Sequence, residues 1–83
     1  MIKIYTSNHC KYCNILKEKL NDDDIEFINI DIDDEANKEE SDNLFKFVGK
    51  DEIPIIIKGK HVLIPNNSFK TIDQAVEIIK SLK

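Results

Sequence analysis

Two cysteines, Cys10 and Cys13, are the residues of this chain whose type and spacing most directly imply chemistry. They are the only cysteines among the 83 residues and stand three positions apart in the segment HCKYC. Such a pair can be a redox couple, part of a metal site, or two buried thiols without a chemical role. A tetrahedral zinc site needs four ligands, and the only other soft ligands in the chain are His9 and His61. Because His9 directly precedes Cys10, it is poorly placed to chelate the same ion, and zinc is disfavoured.

The elements around the cysteines favour the redox interpretation. Alternating apolar residues predict a strand over residues 2–6. From Lys11 onward apolar residues recur at helical spacing, which predicts a helix that ends at Asn21 and the acidic residues after it. Residues 25–32 are rich in β-formers and predict a second strand, which completes a right-handed βαβ unit with parallel strands. A C-x-x-C pair at the first strand-to-helix turn of such a unit is typical of a redox motif.

The rest of the chain adds a helix, a hairpin and a final helix. In chain order, the sequence predicts a helix over 34–48 ended by Gly49, a buried strand over 55–57, a turn at Lys58-Gly59, an antiparallel strand over 61–64, and an amphipathic helix begun by a Thr71/Gln74 capping box. The predicted order is βαβαββα, in a single α/β domain over residues 1–83.

Composition and charge narrow the class of protein. Hydrophobic residues make up 41% of the chain and charged residues 34%, which is enough apolar surface for a folded core. The formal charge of -4 and the lack of a basic stripe argue against a nucleic-acid-binding surface. The start MIKIYT lacks the features of a signal peptide, and no apolar stretch approaches the roughly 20 residues that span a bilayer. We therefore expect a cytoplasmic protein without a membrane contact, in a compartment that keeps thiols reduced.

The position of the cysteines on the helix predicts different roles for the two thiols. Residues i and i+3 of a first helical turn lie on one side of the helix, near enough for a disulfide. Cys10 is expected to be exposed at the positive end of the helix dipole, whereas Cys13 lies on the apolar stripe. Lys11 adds positive charge beside Cys10, so the Cys10 thiolate should be favoured. Such a thiolate is also a good leaving group, and its stability favours the reduced form of the pair. Cys13 is expected to release the mixed disulfide.

The start IYTSNHCKYC, the segment EIPIIIKGKH at residues 52–61 and the predicted order of elements together resemble a glutaredoxin. The resemblance covers essentially the whole chain and implies a thioredoxin-like fold, with a four-stranded mixed sheet flanked by three helices. It also implies that Cys10 attacks, that Cys13 resolves, and that Pro54 is a cis-proline facing the cysteines. A proline has no N–H donor, which leaves the Ile53 backbone available to pair with an extended substrate. The residues expected to contact substrate are Lys11, Tyr12, Ile53, Pro54, Asn66 and Asn67.

The chain departs from the glutaredoxin pattern mainly where glutathione would bind. The departures are Lys11 for the usual proline, Ser7 for a frequent lysine, Leu63-Ile64 for a Gly-Gly pair, and Asn66-Asn67 near the usual acidic cap. Side chains in place of the two glycines keep a tripeptide from lying flat on that backbone, and Ser7 supplies no charge for a carboxylate. We therefore expect weak use of glutathione, unless Lys50, Asn66 or Asn67 provides the contacts.

The sequence thus predicts a monomeric thiol–disulfide oxidoreductase of glutaredoxin type, which reduces protein disulfides or glutathione mixed disulfides. No bound cofactor is expected, and glutathione is a candidate co-substrate. The main competing hypothesis is a dedicated thioredoxin-like redoxin, for example for a ribonucleotide reductase, with a flavin reductase as electron donor. A redox-inert adaptor and a cluster-binding carrier are further hypotheses. An adaptor would not need the two paired cysteines, and a carrier would usually do without Cys13.

Two further features carry weaker signals. Asp31, Asp33 and Glu35 have the spacing of a calcium loop, but Ala36 stands where such a loop requires glycine. The acidic stretch is therefore interpreted as a solvated helix face or a docking surface for a basic partner. His61 is expected to face solvent from an edge strand.

Overall fold

The computed structural model of the protein describes residues 2–49 and 52–82. Three α-helices and four strands follow one another in the predicted order βαβαββα. The elements are β1 (Ile2–Thr6), α1 (Lys11–Asp22), β2 (Ile28–Asp31), a short 3-10 turn (Glu35–Asn37), α2 (Lys38–Val48), β3 (Ile55–Lys58), β4 (His61–Leu63) and α3 (Ile72–Ser81). In this part of the chain no helix has the length and apolar character needed to cross a membrane.

The strands form one mixed sheet in the order β2-β1-β3-β4. β1 pairs in parallel with β2 and antiparallel with β3, and β3 pairs antiparallel with β4. Both central strands are therefore paired on two sides, and the parallel pair is joined through α1 as expected for a βαβ unit. The predicted thioredoxin-like sheet is confirmed.

Alternating side chains of the central strands pack on opposite faces of the sheet. Ile4 and Ile56 are fully buried in the cluster that includes residues of α1 and α3, whereas Tyr5 and Ile55 belong to the cluster that contacts α2. The sheet is thus covered by two helices on one face and one helix on the other. Ile55 and Ile56 are buried on opposite faces, as the continuous apolar run predicted, and Ile57 is partly buried.

The second strand is shorter than the predicted span of 25–32. It spans Ile28–Asp31, because the apolar residues before it serve the end of α1 and the core instead. The Ile25 backbone N–H donates to the Leu20 carbonyl, and Ile25 and Phe27 pack against the cluster of α1 and α3. Apolar residues that leave a helix end can carry the same composition as a strand, which is why the pattern over-extended it.

The predicted helix over 34–48 is divided. A 3-10 turn, capped by the Asp34 carboxylate, precedes α2, which begins at Lys38 and ends at Gly49 with φ 80° as predicted. The Tyr5 hydroxyl donates to Glu40 and ties β1 to α2. Burial, and then the hydrogen bond and charge of Glu40, raise the pKa of Tyr5 above its usual value.

A lysine of β3 closes the C-terminal end of α3. The Lys58 ammonium donates to the carbonyl oxygens of Ile79 (3.2 Å) and Leu82 (2.5 Å). These carbonyls belong to the last turn, where a helix has no internal donors and its dipole favours a cation. The contact fastens α3 to the sheet.

We predict that Lys58→Met lowers the free energy of unfolding by about 1 kcal/mol, because it removes the donors and the charge while keeping the aliphatic length. The measurement is urea denaturation followed by circular dichroism. Lys60→Met is the matched control, since Lys60 is exposed beside the same turn. Equal effects of the two substitutions would contradict the proposed contact energy.

Candidate redox site

Cys10 occupies the N-cap position of α1. The chain turns after β1 with the Cys10 N–H bonded to the Ser7 carbonyl at 3.1 Å, and Cys10 then has extended backbone angles of φ -97° and ψ 110°. Its Sγ accepts a hydrogen bond from the Cys13 backbone N–H at 3.2 Å. A sulfur in this position faces the unpaired N–H groups of the first helical turn, which favour a negative charge.

The two cysteines are joined as a disulfide, and their Cα atoms are 5.2 Å apart. This separation lies within the usual range for a disulfide, so the pair can open and close with little movement of the backbone. Cys13 is 0% exposed on the apolar side of α1, and Cys10 is partly exposed. The sequence predicted an exposed Cys10, and Cys13 on the apolar stripe of the helix. Cys10 lies deeper than expected, although the order of exposure of the two residues is as predicted.

Ser7 ties the turn before Cys10 to the loop after β2. Its Oγ donates to an oxygen of Asp33 and accepts the His9 N–H at 3.2 Å, and the residue is only 8% exposed. In the sequence Ser7 stands out only as a missing lysine, and no local pattern points to Asp33 as its partner. The Asp33 backbone is itself fixed, because its N–H donates to the Asp31 carboxylate at 3.0 Å.

The turn between β1 and α1 that carries Cys10, together with the first helical turn up to Cys13, is called the redox turn below. A groove of about 650 Å³ lies beside it. Four of the predicted contact residues line it: Tyr12, Ile53, Pro54 and Asn66. The Ile53–Pro54 peptide bond is cis, as the family resemblance implied. The other two, Lys11 and Asn67, are exposed and lie outside the lining. Lys50 lies outside the described residues.

Six more residues line the groove that sequence reasoning did not select: Glu52, Pro65, Phe69, Lys70, Thr71 and Ile72. Most belong to the segment between β4 and the start of α3. The capping box at Thr71 marked the start of that helix correctly, but no periodic pattern showed that the segment before it turns toward the redox site.

The glutaredoxin pattern placed the family's cap near Asn66-Asn67, and in this chain neither residue caps α3. The helix is capped five residues past Asn66, by Thr71, whose hydroxyl accepts the Gln74 N–H at 3.2 Å. The residues between β4 and Thr71 form a compact loop, in which Asn66 adopts a left-handed conformation with φ 61°. Asparagine tolerates this conformation better than most residues.

The β4–α3 loop bonds most of its backbone donors to itself or to α3. The N–H groups engaged in this way are those of Ile64, Asn66, Asn67, Ser68 and Lys70. Leu63, in place of the first glycine of the glutaredoxin pair, is 7% exposed in the core, and Ile64 is half-buried. Neither residue lines the groove. The surface that this loop offers to a ligand therefore consists mainly of side chains.

The remaining candidate ligands lie apart from the groove. His61 is exposed in the edge strand β4, as predicted. Asp31 and Asp34 accept backbone N–H groups of their own turns. In residues 2–49 and 52–82 no three histidine, cysteine or acidic side chains are grouped as metal ligands.

A CxxC pair at the head of the first helix and beside a cis-proline, on a thioredoxin-like fold, defines a dithiol redoxin. The family model named Glutaredoxin matches residues 2–62. An uncharacterized glutaredoxin-like 8.6 kDa protein in the rubredoxin operon of Clostridium pasteurianum is 32% identical over 78 residues, which are 93% of this chain and 99% of that protein. The chain belongs to the glutaredoxin family, and membership implies thiol–disulfide oxidoreductase activity in general.

Solved structures agree on the fold. A glutaredoxin of Archaeoglobus fulgidus superposes with a TM-score of 0.73 at 22% identity, covering 96% of this chain and 86% of the other. The glutaredoxin-like protein NrdH-redoxin of Escherichia coli, which has a thioredoxin-like activity profile, gives a TM-score of 0.66 at 23% identity, covering 88% and 91%. At these identities the likeness establishes the fold alone.

We predict that the two thiols differ in reactivity. Alkylation of the reduced protein below neutral pH should modify Cys10 first, because it is the accessible sulfur and lies at the helix N-terminus. Cys10→Ser should abolish disulfide reduction, whereas Cys13→Ser should accumulate mixed disulfides. Peptide mass mapping after brief alkylation measures the order, and a first label on Cys13 would reverse the assignment.

Proposed function

We propose that this protein reduces disulfides of protein substrates, with Cys10 as the attacking thiolate and Cys13 as the resolving thiol. The observation that carries the proposal is the asymmetry of the pair. The Cys10 sulfur is partly exposed and caps α1, whereas the Cys13 sulfur is buried one helical turn away. Only the first can meet an incoming disulfide, and only the second is held where it can attack the first.

The reaction then takes two exchange steps. The Cys10 thiolate attacks one sulfur of the substrate, the substrate disulfide breaks, and its other sulfur leaves as a thiolate. The Cys13 thiol next loses its proton to solvent and attacks Cys10 Sγ as a thiolate, so the Cys10–Cys13 disulfide forms and the second substrate thiolate leaves. Two electrons have passed to the substrate, and both of its thiolates take up protons from water. The N–H groups around Cys10 stabilise the Cys10 thiolate as the leaving group when the protein's own disulfide is later reduced. In the reduced protein the same groups keep Cys10 in the reactive thiolate form.

The groove beside the redox turn provides a place for the substrate chain. Ile53 precedes β3 and lies outside the paired strands, so its backbone is available to an extended segment. Tyr12 is 64% exposed, and its ring supplies apolar area beside the reacting sulfur. We propose that the substrate lies across Ile53–Pro54 with its cysteine at Cys10. In this proposal the protein acts as a cytoplasmic monomer.

A protein reductase fits this site better than glutathione as the electron donor. Residues 63–64 do not expose a flat backbone, and Ser7 brings a buried hydroxyl rather than a charge to the redox turn. The backbone donors of the β4–α3 loop are also largely occupied. The second candidate function, a redoxin recharged by a flavin reductase, is favoured by these contacts. The Clostridium relative is encoded in a rubredoxin operon, and this genetic context is consistent with a redoxin that receives electrons from a protein.

We predict a low kcat/KM for glutathione in reducing the Cys10–Cys13 disulfide, at least about tenfold below that of a flavin-dependent thioredoxin reductase. Loss of interactions worth about 1.4 kcal/mol is enough for that factor. The assay follows NADPH oxidation with insulin as the terminal disulfide, using glutathione with glutathione reductase in one series and the flavin enzyme in the other. Dithiothreitol serves as the control for an active dithiol. Glutathione turnover equal to that of the flavin enzyme would contradict the prediction.

Burial of Leu63 and the hydrogen bond of Ile64 limit how a glutathione-binding backbone could be introduced at residues 63–64. Replacing both residues of the Leu63-Ile64 pair with glycine would empty a core position, and deletion of a buried leucine side chain costs about 2–5 kcal/mol. Ile64 is half-buried and can be replaced without that cavity, but its N–H remains bonded to Ser68. The double glycine substitution would therefore cost stability without freeing the Ile64 N–H.

A further inference from the structure

The groove beside the redox turn has two charged residues of opposite sign. Glu52 directly precedes Ile53–Pro54, and Lys70 lies in the β4–α3 loop just before α3. All other residues of the lining are apolar or neutral. Both charged residues are exposed, and neither forms an ion pair within the described part of the chain. Among the residues that the structure describes, nothing thus competes with a ligand for either charge.

We propose that Glu52 and Lys70 determine which protein disulfides this redoxin accepts, and that the preferred substrate segment carries both a basic and an acidic side chain near its reactive cysteine. The basic side chain pairs with Glu52 and the acidic one with Lys70. This inference rests on the proposed function, since it assigns a substrate class to the same groove.

The floor of the groove gives these two charges more influence than isolated surface charges have. Pro54 is buried and Phe69 is 5% exposed, so the walls are rigid and largely apolar. A peptide that covers these walls excludes water from around Glu52 and Lys70 and lowers the local dielectric constant. The attraction between each of these residues and an opposite charge on the peptide is thereby strengthened. The same two residues also disfavour other substrates, because Glu52 repels an acidic side chain beside it and Lys70 repels a basic one.

The backbone on the Lys70 side is held in place. The Lys70 N–H donates to the Gln74 side chain at 2.8 Å, and the Asn66 N–H donates to the Phe69 carbonyl at 2.8 Å. The loop is thus bonded to the first turn of α3, and the backbone of Lys70 is held beside the groove. In a chain with a formal charge of -4, a lysine at the groove supplies local positive charge that an acidic substrate residue can use.

The test uses four short peptides that differ only in the residues flanking one cysteine: glutamates, lysines, glutamines, or lysine on one side and glutamate on the other. The parent protein is expected to reduce the mixed-charge peptide fastest. Each cysteine is activated as a 2-pyridyl disulfide, a neutral group whose release is measured by absorbance. The reduced protein attacks the peptide sulfur through Cys10, 2-thiopyridone leaves, and Cys13 then displaces the peptide thiolate from Cys10. Single-turnover rates are measured for the parent protein, Lys70→Glu and Glu52→Lys.

We expect Lys70→Glu to lower the ratio of the acidic-peptide rate to the basic-peptide rate by about threefold to tenfold, and Glu52→Lys to raise it by a similar factor. Both shifts should shrink at about 1 M salt, where charges are screened within about 3 Å. Lys60→Glu and Glu77→Lys are matched controls. They make the same charge changes at exposed positions outside the groove and should leave the ratio unchanged.

Two results would overturn the inference while leaving the proposed function intact. One is that the parent protein reduces all four peptides but shows no preference for the mixed-charge peptide, and the ratio does not move or moves equally in the controls. The other concerns glutathione activated in the same way: if both groove variants slow it more than either charged peptide, the charges serve a glutathione subsite. Failure of the parent protein to reduce any peptide would instead reject the proposed function itself.

Discussion

The hydrogen bond from the Cys13 N–H to the Cys10 sulfur is the constraint on which the redox site depends. It places a sulfur where other helices have a serine, threonine or aspartate oxygen, at a helix end whose first N–H groups have no partner within the helix. The same geometry brings the second cysteine under the first, because an N-cap residue and the third helical residue lie on one side. Activation of one thiol and proximity of the other thus follow from one local feature. The fold has only to hold α1 at the end of β1.

The rest of the fold serves that placement. Parallel pairing of β1 with β2 brings the Asp31–Asp33 turn to the same sheet edge as the redox turn, and there Asp33 meets Ser7. Antiparallel pairing of β1 with β3 brings the segment before β3 to that edge as well, which puts Ile53–Pro54 beside the cysteines. The site is therefore assembled from segments that are remote in sequence but adjacent in the sheet.

Local patterns explain which parts could be predicted from the sequence. Strand β1, helix α1 and the capping residue Thr71 were predicted correctly, because each follows from spacing or from one capping hydrogen bond. The strand predicted over 25–32 and the helix predicted over 34–48 were too long at their starts, where tertiary packing and an Asp34 turn override local composition. The approach of Asp33 to Ser7 and of Lys70 to the groove depends on strand order and loop path, for which a single sequence contains no local signal.

The β4–α3 loop shows how a redoxin can change partners without a change in its chemistry. Glycines at the start of this loop would offer backbone N–H and C=O groups to any peptide, because a ligand can approach a bare backbone closely. Here the backbone is turned inward by Leu63 in the core and by bonds of Ser68 to Ile64, so recognition passes to side chains. Backbone donors cannot distinguish one peptide from another, whereas an asparagine, a phenylalanine and a lysine can. A loop that loses a general peptide contact in this way gains selectivity, and the thiols of Cys10 and Cys13 continue to react as before.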